Sequence, residues 1–553
     1  MCGIHVSLSS APRDIPEAVK TCLRNRGPDF LGQTLRGHDA SFSLTFSSTV
    51  LALRGDQLAK QPLVSPDGRS VLCWNGEAWR LHGQRVQGND GEAIHHLLTK
   101  ASASDASSQQ EAVLNVLRAI EGPFAFVFYD ESMQKLFFGR DRLGRRSLML
   151  AQDDVSRDLV ISSIAEACDP RWKEVEANGI YVVDVRPGSL IQPVKHEWLA
   201  EEQLDFVSIG PSRLYIGRFN KALPSDKFSL VSTSPSVAML KDRLLDSLRL
   251  RVLDMPQPPL ASPTSPRLAI LFSGGLDCTV LARLTHELLG VEDEIDLINV
   301  AFENPRVVAQ LKKEAKGEPV DFYEACPDRI TGRKSFAELK AVCPGRAFRF
   351  LAVNVPFTDT VAHRHQVISL MYPHNTEMDL SISYALYFAA RGRGLAADGD
   401  GPVEVSYESP ARVLLSGLGA DELFGGYGRH SVAFSRKGYP GLVDELLLDV
   451  SRISTRNLGR DDRVMAHWGK EVRFPYLDEC LVRWAMETPA WEKCDFENGE
   501  DTDGIEAGKR VLRLLALELG MRGVAQEKKR AIQFGARTAK MESGRVKGTT
   551  LLS

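Results

Sequence analysis

The sequence lacks any long apolar run and any closely spaced pair of cysteines. No hydrophobic stretch approaches the roughly eighteen residues that a membrane span requires, and Met1–Gly3 does not open a basic and apolar secretion signal. The nine cysteines are scattered without a Cys-x-x-Cys pair, which argues against a disulfide framework and against a zinc ribbon. We therefore expect a cytoplasmic protein with reduced thiols.

The sequence also lacks an excess of positive charge. Lysine and arginine total 68 against 72 aspartate and glutamate residues, for a net charge of −4, so nucleic acid is not predicted as the main partner. Hydrophobic residues make up 43% and charged residues 25%, as in ordinary packed domains. The 553 residues exceed what one hydrophobic core holds, so we expect at least two large domains.

One stretch, Leu268–Asp277, has the pattern of a strand, a glycine turn and a helix start. Apolar residues lead into Ser273-Gly-Gly, and valine and leucine then recur at helical spacing. Two glycines let the backbone approach a phosphate, and the first N–H groups and the dipole of the new helix attract it. Asp277 would suit a magnesium ion shared with the phosphates. A tight turn without a ligand is the alternative for so short a motif.

A second turn of the same kind follows the strand predicted at Arg412–Leu415. This turn, Ser416–Tyr427, brings a second carboxylate, Asp421, placed to join Asp277 around a metal; a structural turn with solvated carboxylates is the alternative. The strand predicted at Ile295–Phe302 lies one helix after the first turn, which is the alternation of a doubly wound parallel sheet. Ligands bind such sheets at the carboxyl ends of the strands, where both turns would lie.

The first 185 residues read as β-rich with two helices between the strands, which predicts an α/β sandwich. Short apolar or alternating runs are separated by Gly, Pro, Asp and Asn. The predicted strands include Ile4–Leu8, Ser43–Phe46, Val71–Trp74, Phe124–Tyr129 and Leu136–Phe138, and the predicted helices lie at Ala93–Leu98 and Val113–Leu117.

Cys2 gains a chemical role if Met1 is removed, which a small second residue permits. The thiol would then lie beside an α-amino group, whose pKa near 8 suits a general base at neutral pH. An incidental buried thiol is the alternative, because a cysteine at position 2 means little by itself.

Three later positions support a chemical role for Cys2. Arg54 offers a guanidinium fork for a carboxylate, and Asp90 offers an anion for an ammonium group. Asn75–Glu77 offers an amide side chain and a backbone N–H group as an oxyanion hole. Together with the thiolate, these groups predict a receptor for glutamine with a nucleophile directed at its side-chain amide.

The N-terminal motifs are similar to those of the class II (Ntn-type) glutamine amidotransferase domain, and the glycine turns resemble those of the N-type ATP pyrophosphatases. Their order along nearly the whole chain is that of the glutamine-dependent asparagine synthetases. The first set comprises Met1–Ile4, Arg26–Asp29, Arg54, Asn75–Glu77 and Asp90, and the second Ser273–Asp277, Ser416–Tyr427 and Glu471–Asp478. Within that family the chain most resembles the eukaryotic asparagine synthetase domain-containing proteins, in Pro327–Gly332, Asn457–Arg463 and Ala531–Gly535.

This resemblance implies an α/β fold in two parts. An N-terminal Ntn-hydrolase αββα sandwich would be followed by a doubly wound parallel-sheet ATP pyrophosphatase domain. The implied boundaries are 1–209 for the class II glutamine amidotransferase domain, 210–255 for a connector with a helix, and 256–553 for the asparagine synthetase-like ATP pyrophosphatase domain.

The resemblance also implies a reaction. Cys2 would attack glutamine while Asn75 and Gly76 hold the oxyanion, and Arg54, Glu77 and Asp90 would bind the substrate. Ammonia would pass to the second domain and displace AMP from aspartate that ATP has adenylated. The implied substrates are glutamine, aspartate and ATP, and a homodimer is compatible with the family. The implied ATP-binding residues are Ser273, Gly274, Gly275, Asp277, Val300, Ser416 and Gly417, and the implied ligands of Mg²⁺ are Asp277 and Asp421.

Several departures from the asparagine synthetase pattern fall in the second part of the chain. Leu418 replaces a glutamate after the Ser-Gly of the second turn, and Cys278 replaces a serine or threonine in the phosphate loop. The family's C-terminal lysine, three positions before a phenylalanine, corresponds to Ala531, with Lys529 and Arg530 out of register.

These departures leave three functions open. The first is a glutamine-hydrolysing asparagine synthetase, and the second is an amide-forming enzyme of the same build with another acceptor. The third is a synthetase-like regulatory or binding protein that keeps a glutaminase site. Fold alone does not decide among them.

Overall fold

The computed structural model describes residues 2–37, 42–55, 57–105, 108–153, 158–166, 169–186, 189–199, 216–258, 262, 265–316, 318–397, 403–499, 504–541 and 547–552. By its internal contacts the chain forms two compact units. Unit 1 comprises Met1–Tyr215, Ser369–His374 and Arg452–Lys470, and unit 2 comprises Ile216–Ile368, Asn375–Ser451 and Glu471–Ser553. The domain boundary expected at 209 lies outside the described residues.

Unit 1 is built around two six-stranded antiparallel sheets. Its strands are β1 (Gly3–Ser9), β2 (Phe30–Arg36), β3 (Ser43–Val50), β4 (Leu63–Val64), β5 (Ser70–Gly76), β6 (Arg80–Leu81), β7 (Gln84–Arg85), β8 (Ile120–Glu121), β9 (Phe124–Asp130), β10 (Lys135–Arg140), β11 (Met149–Gln152), β12 (Leu159–Ser162), β13 (Lys173–Glu174), β14 (Ile180–Asp184) and β15 (Val194–His196). The first sheet has the order β13-β11-β12-β1-β3-β2 and the second β15-β14-β10-β9-β5-β4, and β7-β6-β8 form a small third sheet.

The two large sheets of unit 1 pack face to face. Apolar side chains from β1, β3 and β12 of one sheet and from β5, β9 and β10 of the other form one buried core. On the outer face of the second sheet lie α2 (Asp90–Ser102) and α3 (Gln109–Arg118), while α1 (Glu17–Arg26) packs on the first. Because every strand near the centre is covered on both faces, β1 and β9 are buried along their whole length. The αββα sandwich predicted from the sequence is confirmed.

Unit 2 contains one seven-stranded sheet in the order β20-β19-β18-β17-β16-β21-β22. The five strands from β18 to β22 in that order run parallel, as predicted, whereas β19 and β20 form an antiparallel edge that the sequence pattern did not reveal. The strands are β16 (Leu268–Leu271), β17 (Ile295–Phe302), β18 (Phe348–Val355), β19 (Arg393–Ala397), β20 (Glu404–Glu408), β21 (Val413–Leu415) and β22 (Glu471–Arg473).

The strand order of unit 2 reverses between β16 and β21. From β16 the chain first continues to β17 and β18 on one side and later to β21 and β22 on the other. A crevice opens at such a switch point, outside the carboxyl ends of the strands, and is where open α/β sheets bind their ligands. The two glycine turns follow β16 and β21 and therefore flank this position.

Helices surround the sheet of unit 2, and none of the described helices of the chain is both long and apolar enough to cross a membrane. The first of them, α4, is the helix expected in the connector. The helices up to residue 451 are α4 (Pro235–Val252), α5 (Leu276–His286), α6 (Pro305–Glu314), α7 (Pro327–Val342), α8 (Phe357–Ala362), α9 (Arg364–Met371), α10 (Glu377–Arg391), α11 (Ala420–Phe424) and α12 (Gly428–Ser451).

The segment Arg452–Lys470 differs from the expected division of the chain. It lies between β21 and β22 in sequence, within the expected second domain, but its internal contacts place it in unit 1. It forms α13 (Ile453–Arg456) and α14 (Leu458–Ala466), of which α14 is buried along its whole length. The remaining helices are α15 (Glu479–Glu487), α16 (Arg510–Glu518), α17 (Arg522–Gln526) and α18 (Ile532–Gly535), with 3-10 turns at Pro475–Leu477 and Ala490–Glu492.

Candidate functional site

Cys2 lies immediately before β1 and is held by two side chains. Gln61 Nε2 donates to Cys2 Sγ over 3.7 Å, and Arg26 Nε donates to the Cys2 carbonyl over 3.4 Å. The amide oxygen of Gln61 accepts from the backbone N–H of Trp74 at 2.8 Å, so Gln61 connects the thiol to β5. Met1 lies outside the described residues, and its removal therefore stays a prediction.

Asn75 is the second-last residue of β5, and its side chain is fully buried. Neither Asn75 Oδ1 nor Asn75 Nδ2 has a hydrogen-bond partner among the described residues. Buried amides are almost always hydrogen-bonded, and one that is not marks a site where a ligand group belongs. Gly76 follows, and a Cβ there would lie 2.2 Å from the Pro123 carbonyl oxygen, so glycine is required. This arrangement suits the predicted oxyanion hole.

Arg54 and Asp90 contact opposite ends of one residue, Ala78. Arg54 Nη1 donates to the Ala78 carbonyl at 3.2 Å and to Glu77 Oε2 at 3.3 Å. Asp90 Oδ2 accepts from the Ala78 N–H at 2.8 Å and from Trp74 Nε1 at 3.0 Å. Burial raises the pKa of Asp90, and the nearby Arg54 guanidinium opposes that effect. The Arg54 cation and the Asp90 anion thus lie close together, and this pair suits the carboxylate and the ammonium group of one amino acid.

Trp74 joins the two parts of this site. Its backbone N–H reaches Gln61, which contacts Cys2, and its indole reaches Asp90. Cys2, Arg54, Glu77 and Asp90 therefore belong to one hydrogen-bonded network, and the Asn75 side chain lies outside it without a partner among the described residues. Gln61 and Trp74 were missed from the sequence, because neither belongs to a charged or glycine-rich motif.

The glycine turn after β16 is held tightly against α7. Gly274 has a positive φ of 80°, and a Cβ on it would lie 2.5 Å from the Cα of Gly332. Ser335 Oγ donates to the Gly274 carbonyl at 2.7 Å, and Ser273 Oγ accepts from the Gly275 N–H at 3.3 Å. Helix α5 begins at the next residue. The strand, glycine turn and helix start expected of a phosphate loop are therefore in place.

Asp277 and Asp421, the predicted metal ligands, converge on a lysine. Lys509 Nζ lies 2.8 and 2.9 Å from the two oxygens of Asp277 and 2.9 Å from Asp421 Oδ1. Lys529 Nζ lies 2.9 Å from Asp421 Oδ2. Burial opposes the charged form of Asp421, but the two lysines outweigh it and hold the pKa of Asp421 below its ordinary value.

The donor set at this position fits a magnesium ion bound together with phosphates. Among the described residues no group of three or more His, Cys, Asp and Glu side chains could hold a metal. Mg²⁺ commonly takes only one or two carboxylates and completes its shell with water and substrate phosphates. Asp277 and Asp421 supply two carboxylates beside the phosphate loop, so they fit such an ion, which would neutralise phosphate charge.

The other predicted ATP-binding residues lie around the same switch point. A Cβ on Gly417 would be 2.9 Å from the Cβ of Asp277, so the turn after β21 touches the start of α5. The Ser416 N–H donates to the Arg473 carbonyl at 3.0 Å, which fixes this turn to β22. Val300 is buried near the end of β17, the strand next to β16. The structure gathers these residues, and their roles stay predictions.

The residues that depart from the family pattern lie in the same region. Leu418 is partly exposed, and its N–H donates to Ser416 Oγ at 3.3 Å. The neighbouring carboxylate Glu422 is buried and accepts from Tyr427 Oη at 2.6 Å, and burial raises the pKa of Glu422. Ala531 precedes α18, and of the basic residues before it, Lys529 reaches Asp421.

Comparison with known proteins covers both parts of the chain. Residues 1–182 match the family model described as glutamine amidotransferase domain, and residues 435–549 match the one described as asparagine synthase. Asparagine synthetase domain-containing protein 1 of Bos taurus is 33% identical, covering 99% of this chain and 96% of the relative. The asparagine synthetase domain-containing protein YML096W of Saccharomyces cerevisiae is 33% identical over 95% and 89%. A putative glutamine-hydrolysing asparagine synthetase of Methanocaldococcus jannaschii is 22% identical over 90% and 83%.

Proposed function

This chain belongs to the family of asparagine synthetase domain-containing proteins, and from that membership we propose that it is a glutamine-dependent amide ligase. The family predicted from the sequence motifs is thereby confirmed, with a glutamine amidotransferase domain and an asparagine synthase-like domain in one chain. The observation that carries the proposal is the buried, unpartnered amide of Asn75, which follows Trp74 in β5 and so adjoins in sequence the network of Cys2, Gln61 and Trp74.

In the proposed glutaminase reaction, the Cys2 thiol adds to the side-chain carbonyl carbon of glutamine. The thiol proton passes to the Cys2 α-amino group, and the carbonyl oxygen becomes an oxyanion that accepts from Asn75 Nδ2 and a backbone N–H group. The C–N bond then breaks, and ammonia leaves with the proton from the α-amino group. Water hydrolyses the thioester to give glutamate and the thiol.

Substrate binding in unit 1 follows from the pair of charges beside Ala78. Arg54 would release the Ala78 carbonyl and donate to the α-carboxylate of glutamine instead, and ionised Asp90 would bind the α-ammonium group. Glu77 keeps the Arg54 guanidinium oriented. Glutamate has the same α-carboxylate and α-ammonium groups as glutamine, so Arg54 and Asp90 would bind both substrate and product.

In unit 2, the proposed reaction is adenylation of a carboxylate. The N–H groups of Ser273, Gly274 and Gly275 would hold the phosphates of ATP, and Lys509 and Lys529 would balance their charge. Magnesium, held by Asp277 and Asp421, would supply electrostatic stabilisation of the leaving pyrophosphate. The carboxylate oxygen of aspartate displaces pyrophosphate from ATP, and ammonia then displaces AMP to give asparagine.

A second candidate function is the same amide-forming reaction with a carboxylic acid other than aspartate as the acceptor. Leu418 cannot take a proton from the attacking amine, and Glu422 is engaged with Tyr427, so the described residues around this turn offer no obvious base for ammonia attack on aspartyl-adenylate. This favours an enzyme that makes asparagine slowly, or that activates a different carboxylate.

The test uses the purified full chain with glutamine, ATP, Mg²⁺ and aspartate. Glutamate, ammonia, AMP and asparagine are all measured, and asparagine synthesis predicts equal amounts of AMP, asparagine and glutamate. Glutamate without asparagine, together with AMP that depends on another carboxylic acid, supports the second candidate. Absence of glutamate formation by protein shown to begin at Cys2 rejects the amidotransferase function.

A further inference from the structure

Helix α14 belongs to unit 1 although its sequence lies in the second half of the chain. It contains most of Asn457–Arg463, one of the stretches by which the chain resembles its group, and the proposed chemistry leaves this stretch without a role. Nine consecutive residues of α14, Leu458–Ala466, are buried. Four of those nine are charged, which is unusual for buried positions unless each charge is paired.

Asp462 of α14 forms a fully buried ion pair with Arg26. Its Oδ2 lies 2.9 Å from Arg26 Nη2, and neither side chain is exposed to solvent. The same oxygen accepts from the Ser147 N–H at 3.1 Å, and Oδ1 lies 3.6 Å from Arg146 Nη1. Removing a carboxylate from such a position leaves buried guanidinium groups without their counter-charge.

Arg26 in turn contacts the residue that carries the nucleophile. It is the last residue of α1, and its Nε donates to the Cys2 carbonyl over 3.4 Å. Gly27 follows, and a Cβ there would be 2.5 Å from the Val50 backbone nitrogen, so the end of α1 is pressed against β3. One guanidinium therefore joins Asp462 to the backbone of Cys2.

A second ion pair fixes α14 in this place. Arg463 Nη1 donates to Glu174 Oε1 at 2.7 Å and to Ser147 Oγ at 2.9 Å, and Arg140 lies 3.2 Å from the same Glu174 oxygen. Burial favours the neutral form of Glu174, but the two guanidinium groups outweigh it and lower its pKa to about 2. Ser147 is thus contacted by Asp462 through its N–H and by Arg463 through its hydroxyl, which sets the helix register.

We propose that Asp462 is a positioning residue for the nucleophile, acting through Arg26, so that the glutaminase site of residues 1–215 is completed by a helix from the second half of the chain. The inference rests on the proposed hydrolysis of glutamine at Cys2. It adds that glutamine hydrolysis requires α14, which lies outside the N-terminal motifs.

The test compares Asp462→Asn with Asp461→Asn in the full chain. Asparagine keeps the size of Asp462 and removes its charge, and kcat for glutamine hydrolysis should fall about 10- to 100-fold, by analogy with the loss when a residue that orients a metal ligand is replaced. Asp461 is equally buried, but its carboxylate pairs with Arg460, so Asp461→Asn controls for lost buried charge and should keep kcat within about twofold.

Two further readouts separate positioning from general destabilisation. The Kd for glutamine, measured in the Cys2→Ala background, should change less than twofold in Asp462→Asn, because Arg54 and Asp90 are untouched. Asp462→Glu, which retains the charge, should restore part of kcat. If Asp462→Asn does not fold, only Asp462→Glu is compared with wild type. The inference then predicts that Asp462→Glu has a lower kcat than wild type and the same thermal unfolding temperature.

Failure of the inference can be told apart from failure of the proposed function. Alkylation of Cys2 by iodoacetamide, followed over time by mass analysis of the N-terminal peptide so that the other cysteines are not counted, reports thiol placement without glutamine turnover. If wild type does not hydrolyse glutamine, the proposed function fails, and an altered alkylation rate in Asp462→Asn alone still supports positioning. Unchanged kcat and alkylation in Asp462→Asn and Asp462→Glu, or equal losses in Asp461→Asn and Asp462→Asn, overturn the inference.

Discussion

Two carboxylates of this chain, Asp90 of unit 1 and Asp421 of unit 2, are held in opposite ways. In unit 1, Asp90 accepts hydrogen bonds from an indole and a backbone N–H, and its burial raises its pKa. In unit 2, Asp421 contacts Lys509 and Lys529, which lower its pKa despite burial. Asp90 is therefore an anion that gains from binding a cation. Asp421 already has two lysines as counter-charges, and these lysines lie beside the proposed phosphate site.

The sites also differ in how completely they keep the family pattern. Each predicted glutamine-binding residue lies in the network around Cys2, and none of the noted departures from the asparagine synthetase pattern falls in unit 1. In unit 2, Leu418 and Ala531 stand where the family pattern has charged residues, and Lys529, two positions before Ala531, contacts Asp421. The comparison teaches that hydrolysis of glutamine should be the more robust activity and amide formation the weaker one.

Cys2→Ala should show the largest effect, because it removes the proposed nucleophile. We expect glutamine hydrolysis to fall by on the order of 10⁶-fold, to the background left when a nucleophile is deleted. Any reaction driven by added ammonium chloride should keep its rate, since unit 2 does not contain this residue. Ammonia and AMP release measure the two activities, and comparable loss of both would show that the sites are not chemically separate.

Leu418→Glu tests whether the missing glutamate makes amide formation in unit 2 the weaker activity. A positioned base is worth roughly 10²–10⁴-fold, so restoring the carboxylate should raise ammonia-dependent asparagine formation within that range if only this base is missing. Leu418→Gln, which has the size but not the charge, is the matched control.

The same experiment has two informative negative results. An unchanged rate in Leu418→Glu would locate the defect at Ala531 or point to another acceptor. Wild-type protein that makes asparagine at an ordinary enzyme turnover, on the order of 1–10³ per second, would show that Leu418 is no defect at all.

Lys509→Met should destabilise the fold more than Lys529→Met. Lys509 is buried, and its removal leaves Asp277 and Asp421 facing each other, which should cost about 3–5 kcal/mol in the free energy of unfolding. Lys529 is 30% exposed, so its removal should cost less than about 1 kcal/mol. Urea unfolding followed by tryptophan fluorescence compares the two variants, and equal losses would contradict a central role for Lys509.

Asn75→Ala tests the oxyanion hole in unit 1. Losing one donor of this kind lowers kcat by about 10²–10³-fold, and the protein should not lose stability, because the amide has no partner to give up. Glutaminase kinetics and a thermal unfolding curve check both parts. A loss below tenfold would make Asn75 a turn residue only.

Much of this architecture could be predicted because its signals are local. Alternating runs gave the sandwich, and each glycine turn lies within a few residues of the strand and helix that frame it. Likewise, Asn75, Gly76 and Glu77 are consecutive, so one motif reports three members of the site.

The rest depended on partners far apart in sequence. Lys509 lies 232 positions from Asp277, and Asp462 lies 436 positions from Arg26. The burial of α14 in unit 1 could not be predicted either, since four of its nine residues are charged and a charged helix usually faces solvent. Gln61 is a further case, because a single neutral side chain leaves no recognisable pattern.

Glutamine binding should weaken in acid, and at a higher pH than an exposed aspartate would predict. The raised pKa of Asp90 means that it takes up a proton as the pH falls through that raised value, which removes the anion that binds the α-ammonium group. Below that pKa the Kd of Cys2→Ala protein for glutamine should rise by up to about tenfold per pH unit, because only the ionised fraction binds; above it the Kd should be constant. Calorimetric titration across pH measures this, with Asp90→Asn as a control whose binding is weak at every pH. A Kd of Cys2→Ala protein that stays constant down to about pH 4, where an ordinary aspartate titrates, would remove Asp90 from the ammonium site and point to Glu77, which is paired with Arg54, as the carboxylate of the described network that binds the ammonium group.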